Sequence, residues 1–570
     1  MNKNFLLQRT AVVFSMALLC GIQVFGAAAA DIKRPQPGET VEVLVQYGTQ
    51  PTAEQHKRVT ERNGRIRATF ENIPVAHYDV TPEALADLEA NPDVVSINPN
   101  RQVYATLDRA SCSANFWPLN TFYVSNHRQL GKGIGVAILD SGISSTNPNF
   151  NFWHSNSSRI VYSQSFVGGD TNDEYGHGTH VAGIVVGTDN VTTVLTSPTR
   201  GFGGIVQDAN IVNLKVLNSS GSGTDAEVIA GIDAAISLKS KYNIRVMNLS
   251  LGRPIATSYK LDALDQAVEA AWKAGIVVVV AAGNDGRDNS MGTQGYGTIT
   301  APGNDPYVIT VGASNDQGLY NRLSDTLTTY SSKGPTAIDH IVKPDLVAPG
   351  NQVVSAQSTN SALVTSYPTN QIPTDAYNSS GSTAYSPYFF TLSGTSMATP
   401  IVTGAAAMLI DGNPALTPDQ VKAKLMRTAW RGFPATQTIA VTTPAPATYV
   451  ENADIFTIGA GQVDMWAAYN DTSVPTGSAA SPSASFNSTT GKVQLNGIAA
   501  SNVIWGSSSP FATNVIWGSN VSGTNVIWGT NVIWGSNVIW GSNVIWGTTS
   551  PWAQSTPGAE VLTIAINGDK

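Results

Sequence analysis

Cysteine is nearly absent. A chain of 570 residues holds two, Cys20 and Cys112, which excludes a disulfide-stapled scaffold. Charge is scarce too: Asp, Glu, Lys and Arg make up 13% of the residues, where a soluble domain carries about 25%. A basic excess is missing altogether. The net charge is -8, which argues against a nucleic-acid partner, because nothing is left over to neutralise phosphates. Apolar residues are not lacking. At 42% they suffice for a large core and exclude a wholly disordered chain. At about 150 residues per domain, the length suggests three or four domains.

The N-terminus reads as an export signal. Lys3 and Arg9 supply the positive region, residues 11–26 are almost entirely apolar, and residues 27–30 are four alanines that fit an A-x-A cleavage site. The apolar stretch is shorter than the roughly 20 residues of a spanning helix, and no later segment is long and apolar enough to cross a bilayer. Cys20 is a poor lipidation site, since Leu19 stands where a small residue is needed. With the signal removed, Cys112 has no partner, so the expectation is an exported protein stabilised without disulfides.

The C-terminal region lacks charge most. From Val474 onward it holds Lys492, Glu560, Asp569 and Lys570 and no other charged side chain. Residues 471–490 are rich in Ser, Thr, Gly, Ala and Pro and read as linker. The pentapeptide Asn-Val-Ile-Trp-Gly then starts at Asn502, Asn514, Asn525, Asn531, Asn537 and Asn543, and its six copies hold half of the 12 tryptophans. Val-Ile-Trp favours strand and Gly-Ser-Asn favours turn. Three readings stand: a partner- or surface-binding array with tryptophan anchors, a sorting or secretion extension, and a sticky spacer without a specific ligand.

Between these ends two patterns succeed one another. Residues 41–104 alternate as strands at 41–47, 75–80 and 94–97, with a further strand at 65–70. Helical stretches lie at 51–63 and 81–90, the second opened by an N-cap Thr81 and Pro82. From about residue 131, apolar strands at 134–139, 211–216, 245–249, 276–281 and 308–311 alternate with amphipathic helices at 225–238 and 261–274. Continuous apolar strands alternating with helices predict a parallel sheet covered on both faces, with functional groups at the carboxyl ends of its strands.

Three such positions carry chemistry. Asp140 ends the run Val136-Ala137-Ile138-Leu139, His177 lies in Gly176-His177-Gly178-Thr179-His180, and Ser396 lies in Gly394-Thr395-Ser396-Met397-Ala398-Thr399-Pro400. Each alone is ambiguous, since an Asp at a strand end is often a plain cap. Together, in the order Asp, His, Ser, they match an arrangement of a nucleophile triad. A serine hydroxyl is a weak nucleophile until a neutral imidazole takes its proton, and a buried carboxylate fixes that imidazole and stabilises its cation. Ser396 is expected to open a helix through residues 405–409, whose free N–H groups favour negative charge. Asn284, in Gly283-Asn284-Asp285-Gly286 after a buried strand, is a candidate oxyanion donor, although a turn would also explain it. His177 and His180 are three apart as metal ligands can be, but a zinc-protease motif needs His-Glu-x-x-His and that glutamate is missing.

These four motifs resemble those of the subtilisin-like serine proteases (subtilases) over about residues 120–470. The resemblance implies an α/β fold with a parallel sheet and helices on both faces, preceded by a small α+β, ferredoxin-like, inhibitor-type prodomain and followed here by the Trp-repeat tail. It implies a triad of Asp140, His177 and Ser396 with Asn284 lining the oxyanion hole. It also implies two substrate-strand edges, at Ser250, Leu251 and Gly252 and at Gly221, Ser222 and Gly223, which would bind peptide backbone as an added strand. Thr300 falls where relatives often carry glycine at the floor of the pocket for the residue before the cut, so small or medium residues are expected there. Val206-Gln207 and Asn147-Pro148-Asn149 depart from the family pattern away from the triad. Residues 357–390 are longer than in compact members and are expected as a surface loop. No cofactor is implied for the chemistry. Calcium would be structural, in the loop of Asp189 and Asn190, with no ligands assigned.

The expected organisation is a signal at 1–30, a prodomain at 31–110 that is cut off near 105–111, a catalytic domain at 111–470, a linker at 471–500 and the repeat tail at 501–570. The expected protein is a secreted serine endopeptidase acting on polypeptides, inhibited by its own prodomain until it processes itself, with the partner of the repeats unassigned. The alternatives are a non-catalytic surface or adhesive protein retaining the fold, and an amidase or esterase, against which stands the lack of Gly-x-Ser-x-Gly around Ser396.

Overall fold

The computed structural model describes residues 34–69, 75–99, 130–152, 155–188, 202–377 (except 291 and 320), 384–442, 446–487, 492–496 and 558–569, with short pieces at 27–28, 32, 110 and 113–116. The apolar stretch of the export signal, the Asn-Val-Ile-Trp-Gly copies, and Asp189 with Asn190 lie outside the described residues. The chain divides into two compact units, residues 1–103 and 104–570.

In the first unit β1 (Ala27–Ala28), β2 (Val41–Tyr47), β3 (Arg65–Thr69), β4 (Val75–Val80) and β5 (Val94–Pro99) form one sheet in the order β1-β5-β2-β4-β3. Helices α1 (Ala53–Thr60) and α2 (Pro82–Glu89) connect its strands. Thr52 and Gln55 close a capping box on α1, and the Thr81 side chain caps α2 as the sequence predicts. With β2 and β4 central and the two crossovers helical, this is the split β-α-β arrangement. Val43, Val45, Tyr78, Leu85, Leu88 and Ile97 fill its separate core.

In the second unit the parallel strands are β6 (Gly135–Asp140), β7 (Ile160–Ser165), β8 (Asn210–Lys215), β9 (Ile244–Leu249), β10 (Val277–Ala281) and β11 (Ile309–Asn315), ordered β11-β10-β9-β6-β8-β7. The short β12 (Thr326–Leu327) is antiparallel to β11 and β13 (Leu346–Pro349) is parallel to it. Four consecutive valines make β10 a fully buried strand, as β-branched residues covered on both faces should be. Helices α3 (His177–Val186), α4 (Asp225–Tyr242) and α5 (Ala263–Lys273) connect strands of this sheet. The inward stripe of α5 is Leu264, Val268, Ala271 and Trp272, the spacing of a helix with one apolar face.

The segment expected as a surface loop is mostly structured. Strands β14 (Val353–Ala356), β15 (Gln371–Pro373) and β16 (Tyr385–Leu392), with α6 (Ala362–Ser366), build a second small sheet ordered β14-β16-β15. Phe389, Tyr377, Phe202 and Val354 form a satellite core there. These aromatics give the insertion apolar area to bury, which its Ser and Thr content hides. The insertion braces the loop before α3, where Ala362 and Leu363 donate N–H to the carbonyls of Glu174 and Tyr175.

Helix α7 (Thr395–Gly412) is buried on all sides, and α8 (Pro418–Arg427) and α9 (Met465–Asn470) follow it. Between them β17 (Thr436–Val441) and β18 (Ala447–Asn452) form a hairpin. Part of the expected linker is folded onto the second unit. β19 (Ser483–Asn487) and β20 (Lys492–Asn496) form a hairpin, Ala479 and Ala484 are buried in the main core, and Ser483 bridges to Ile341. Small side chains let this stretch lie flat against the domain. The last described piece, α10 (Gly558–Asn567), was expected as part of the repeat tail but packs Leu562, Ile564 and Ile566 against the main core.

One buried cluster pins the linker. The Asp345 carboxylate meets Lys343 Nζ at 2.7 Å and Lys422 Nζ at 3.0 Å, all three side chains fully buried, and the Ser481 hydroxyl donates to it. Burial pushes the Lys343 ammonium down to about 7, against the opposing pull of Asp345, and this carboxylate is the buried acidic partner of both lysines. Asp345→Ala should therefore cost about 3–5 kcal/mol, read as a lowered urea midpoint of the full chain. An unchanged midpoint would contradict this role.

Candidate active site

Asp140 is the last residue of β6 and its side chain is 1% exposed. His177 is the first residue of α3. The imidazole Nδ1 meets Asp140 Oδ1 at 2.7 Å, and the same oxygen accepts the Ser141 N–H at 2.8 Å. The approach depends on Gly178, where a Cβ would fall 2.3 Å from the Gly142 carbonyl, so only glycine lets the start of α3 press against the end of β6. Asp173 fixes the same helix start. Its Oδ1 accepts from the Ser141 hydroxyl and the Gly176 N–H, and its Oδ2 from the Thr179 N–H, satisfying donors that a helix N-terminus leaves unpaired. Burial of the His177 ring presses its pKa down, but the facing Asp140 carboxylate and the hydrogen bond to it outweigh that, and the net displacement is upward from 6.5. His180 turns away, its Nε2 against the carbonyls of Val353 and Phe390 at 3.1 and 3.0 Å. Burial and the neighbouring His177 hold it down at about 3, a neutral ring with a packing role.

Ser396 is the second residue of α7. Gly394 before it has φ +139°, a conformation that glycine adopts freely. A reciprocal pair ties the serine to the end of β9: the Ser396 hydroxyl donates to the Ser250 carbonyl at 3.2 Å, and the Ser250 hydroxyl donates to the Ser396 carbonyl at 2.8 Å. The second bond follows from sequence. Pro400 lies four residues after Ser396 inside α7 and has no N–H to give the Ser396 carbonyl, so the Ser250 hydroxyl fills that place. Asn248 Nδ2 in turn donates to Ser250 Oγ, and Asn248 Oδ1 accepts from the Thr403 hydroxyl.

Asn284 follows β10 at its carboxyl end. Its Oδ1 accepts from the Thr395 N–H at 2.9 Å and the Thr395 hydroxyl at 3.1 Å. That fixes the amide so that Nδ2, the donor end, lies beside Gly394, where a Cβ would be 3.3 Å away.

The remaining predicted residues flank this group. Leu251 and Gly252 make no main-chain hydrogen bond among the described residues, while Arg253 pairs with Ala301 in an isolated bridge. Thr300 donates its N–H to the Ala282 carbonyl, and its side chain fills the space beside both Gly252 and Gly283. The Gly221-Ser222-Gly223 stretch is a tight turn rather than a strand: Asn218 N–H bonds Ser222 O and Gly221 N–H bonds Asn218 O. Polar turn formers won over extended pairing there. Sequence reasoning missed Asp173, whose position four residues before His177 is the available signal, and the side-chain role of Ser250, whose signal is Pro400. No group of three or more His, Cys, Asp or Glu side chains is placed to hold a metal among the described residues. No helix of the described residues is long and apolar enough to cross a membrane.

Fold and site together define an α/β protein with an aspartate–imidazole pair, a helix-start serine and a donor amide at the carboxyl edge of a parallel sheet. The model of the Subtilase family matches residues 131–487. Serine protease AprX of Bacillus subtilis (strain 168) is 36% identical over 376 residues, which cover 64% of this chain and 75% of that protein. Subtilisin E of the same organism is 31% identical over 374 residues, covering 65% of this chain and 79% of that protein. Among solved structures, Sphericase is similar over 59% of this chain and 92% of its own, at 25% identity and a TM-score of 0.43. The chain belongs to the subtilase family and is a subtilisin-like serine endopeptidase.

Proposed function

We propose that the protein is an exported, self-processing subtilase in which Ser396 is the nucleophile, His177 the general base and then acid, Asp140 the group that orients and stabilises the imidazole, and Asn284 an oxyanion donor. The observation that carries this is the 2.7 Å bond from His177 Nδ1 to the buried Asp140 carboxylate, which leaves Nε2 as the nitrogen to accept a proton. Ser396 Oγ attacks the scissile carbonyl carbon as its proton passes to Nε2. The oxyanion is met by Asn284 Nδ2 and by the N–H of Ser396 at the start of α7. The imidazolium returns the proton to the departing amine, and water then hydrolyses the acyl-enzyme by the same steps in reverse. At rest the hydroxyl is bonded to the Ser250 carbonyl, and this reading requires it to turn to the imidazole when substrate binds. Such bonds are often unformed without substrate. Asn284→Ala should lower kcat by about 10²–10³ with little change in KM.

Ser250, Leu251 and Gly252 would pair with the substrate main chain from one side, and the Gly221-Ser222-Gly223 turn, whose Ser222 main chain is already bonded to Asn218, would border it on the other without strand pairing. The unused main-chain groups of Leu251 and Gly252 support this. Thr300, wedged between Gly252 and Gly283, would make the pocket for the residue before the cut shallow. In a peptide library the enzyme should cleave after Ala or Val about tenfold or more better than after Phe, and Thr300→Gly should narrow the gap. Efficient cleavage after Phe or Leu with poor cleavage after Ala would contradict it.

The first unit would be the inhibitor-type prodomain. Its split β-α-β arrangement supports this. Ala110 and Ala114 are both buried in the core of the second unit, which favours the N-terminal part of the expected range 105–111 for the cut. The four-alanine site at residues 27–30 supports export. Casein digestion that a serine-directed covalent inhibitor abolishes, by an enzyme whose mature N-terminus lies near residues 105–111, is the expected result. Inhibitor-resistant digestion would overturn the mechanism.

A further inference from the structure

The family match ends at residue 487, yet residues 558–569, on the far side of the repeats, bond to several segments around the proposed site. The Ser393 N–H, three residues before Ser396, donates to the Ala565 carbonyl at 2.8 Å. Gln352 Nε2 donates to the Asn567 carbonyl at 2.9 Å and Asn370 Nδ2 to the Ile566 carbonyl at 2.8 Å. Asn351 brackets the end: its Oδ1 accepts the Asp569 N–H at 2.8 Å and its Nδ2 donates to the Asp569 carbonyl. The neighbouring Gly350 carbonyl accepts the Gly394 N–H at 2.8 Å, so the Asn351 loop is itself bonded to the serine loop.

A further contact is electrostatic. Arg287, three residues after Asn284, meets Asp569 Oδ1 at 2.8 Å, with both side chains 3% exposed. Thr329 closes the cluster, its N–H donating to Asp569 Oδ2 and its hydroxyl to Oδ1 while accepting from Arg287 Nε. A buried guanidinium is costly to leave without its carboxylate, so the loop that carries Asn284 depends on Asp569, which lies beyond the repeats. Ile564 and Ile566 add apolar anchoring.

We propose that residues 558–569 are a clasp, a peptide ligand the chain carries for itself, which positions the Asn284 and Ser396 loops and stays seated when the segment leading to it is cut. Ser393, Asn351 and Arg287 are its receptor groups, and Asp569 is its anchor. Competence of the site then depends on the seating of residues 558–569. The inference rests on Ser396 and Asn284 being the reacting groups.

The test cuts after folding, so that a folding defect cannot mimic the effect. A site for an unrelated sequence-specific protease is placed between residues 548 and 557 of the full chain, and the purified mature enzyme is cut there. The clasp should co-elute with the catalytic unit in gel filtration. Washing it out in mild urea should lower kcat on a small peptide substrate about ten- to a hundredfold with KM changed less than about twofold. Adding synthetic peptide 558–570 should restore kcat. A clasp that elutes apart with kcat unchanged, or whose removal leaves kcat unchanged, overturns the proposal, and so does a loss that the peptide does not reverse. Failure of the protease assignment would show earlier, as uncut enzyme that a serine-directed inhibitor does not silence.

Discussion

Ser396→Ala should lower kcat by about 10⁶ while leaving the chain folded. The substitution removes the atom that forms the acyl bond, and what remains is the rate assistance of binding and the oxyanion donors. It also removes the hydroxyl's donation to the Ser250 carbonyl, but that 3.2 Å contact is weak, and the stronger bond from the Ser250 hydroxyl to the residue 396 carbonyl is kept. The helix start should therefore keep its place. In a protease-free host the same variant should accumulate as the unprocessed form, with residues 31–110 still attached. Appearance of the shorter mature form in that host would show that another enzyme makes the cut.

The second large effect is read from pH. Because His177 is displaced upward from 6.5 by Asp140, and only the neutral imidazole can take the serine proton, kcat/KM should fall tenfold per unit below a midpoint that lies above 6.5. Asp140→Asn removes the carboxylate that raises the pKa and leaves burial, which lowers it, so the acid limb should move to lower pH. At the plateau kcat should drop by about 10⁴, since an amide can donate to Nδ1 and so leave the proton on Nε2, the nitrogen that must accept. A drop in kcat with an unmoved acid limb would mean that Asp140 does not set the imidazole's charge. The same displacement bears on stability: a histidine whose folded pKa is raised stabilises the fold fully below its unfolded pKa, near 6.5, and loses that contribution as pH rises through the folded value. The pH range of activity is thus the range where this pair stabilises least.

How much of this was legible in the sequence varies with the physical signal. The valines of β10 and the Thr-Pro start of α2 carry local signals strong enough to fix an element. Asp140, His177 and Ser396 stood out because glycines and strand ends surround them. Helix α7 was expected from its motif rather than its periodicity, because a helix buried all round has no polar face to reveal it. The strand β7 has no fully buried position, only half-buried and exposed ones, and β13 is four residues ending in Pro349, so both escaped. What could not be read were the pairings across long separations. Asp345 with Lys422, Arg287 with Asp569, and the hairpin of β19 and β20 depend on where distant segments land. The Ser-, Ala- and Gly-rich composition of residues 471–490 reads as linker because small side chains suit both a free chain and a tightly apposed one. Residues 558–569 were hidden by the repeats before them, although Glu560 and Asp569 already broke the uncharged run.

The most direct test of the central claim is to label the purified enzyme with a serine-directed covalent inhibitor and map the adduct by peptide mass spectrometry while following casein hydrolysis. The account predicts one adduct, on Ser396, with hydrolysis falling in proportion to its occupancy. An adduct on another residue, or hydrolysis that persists when Ser396 is fully labelled, would contradict it.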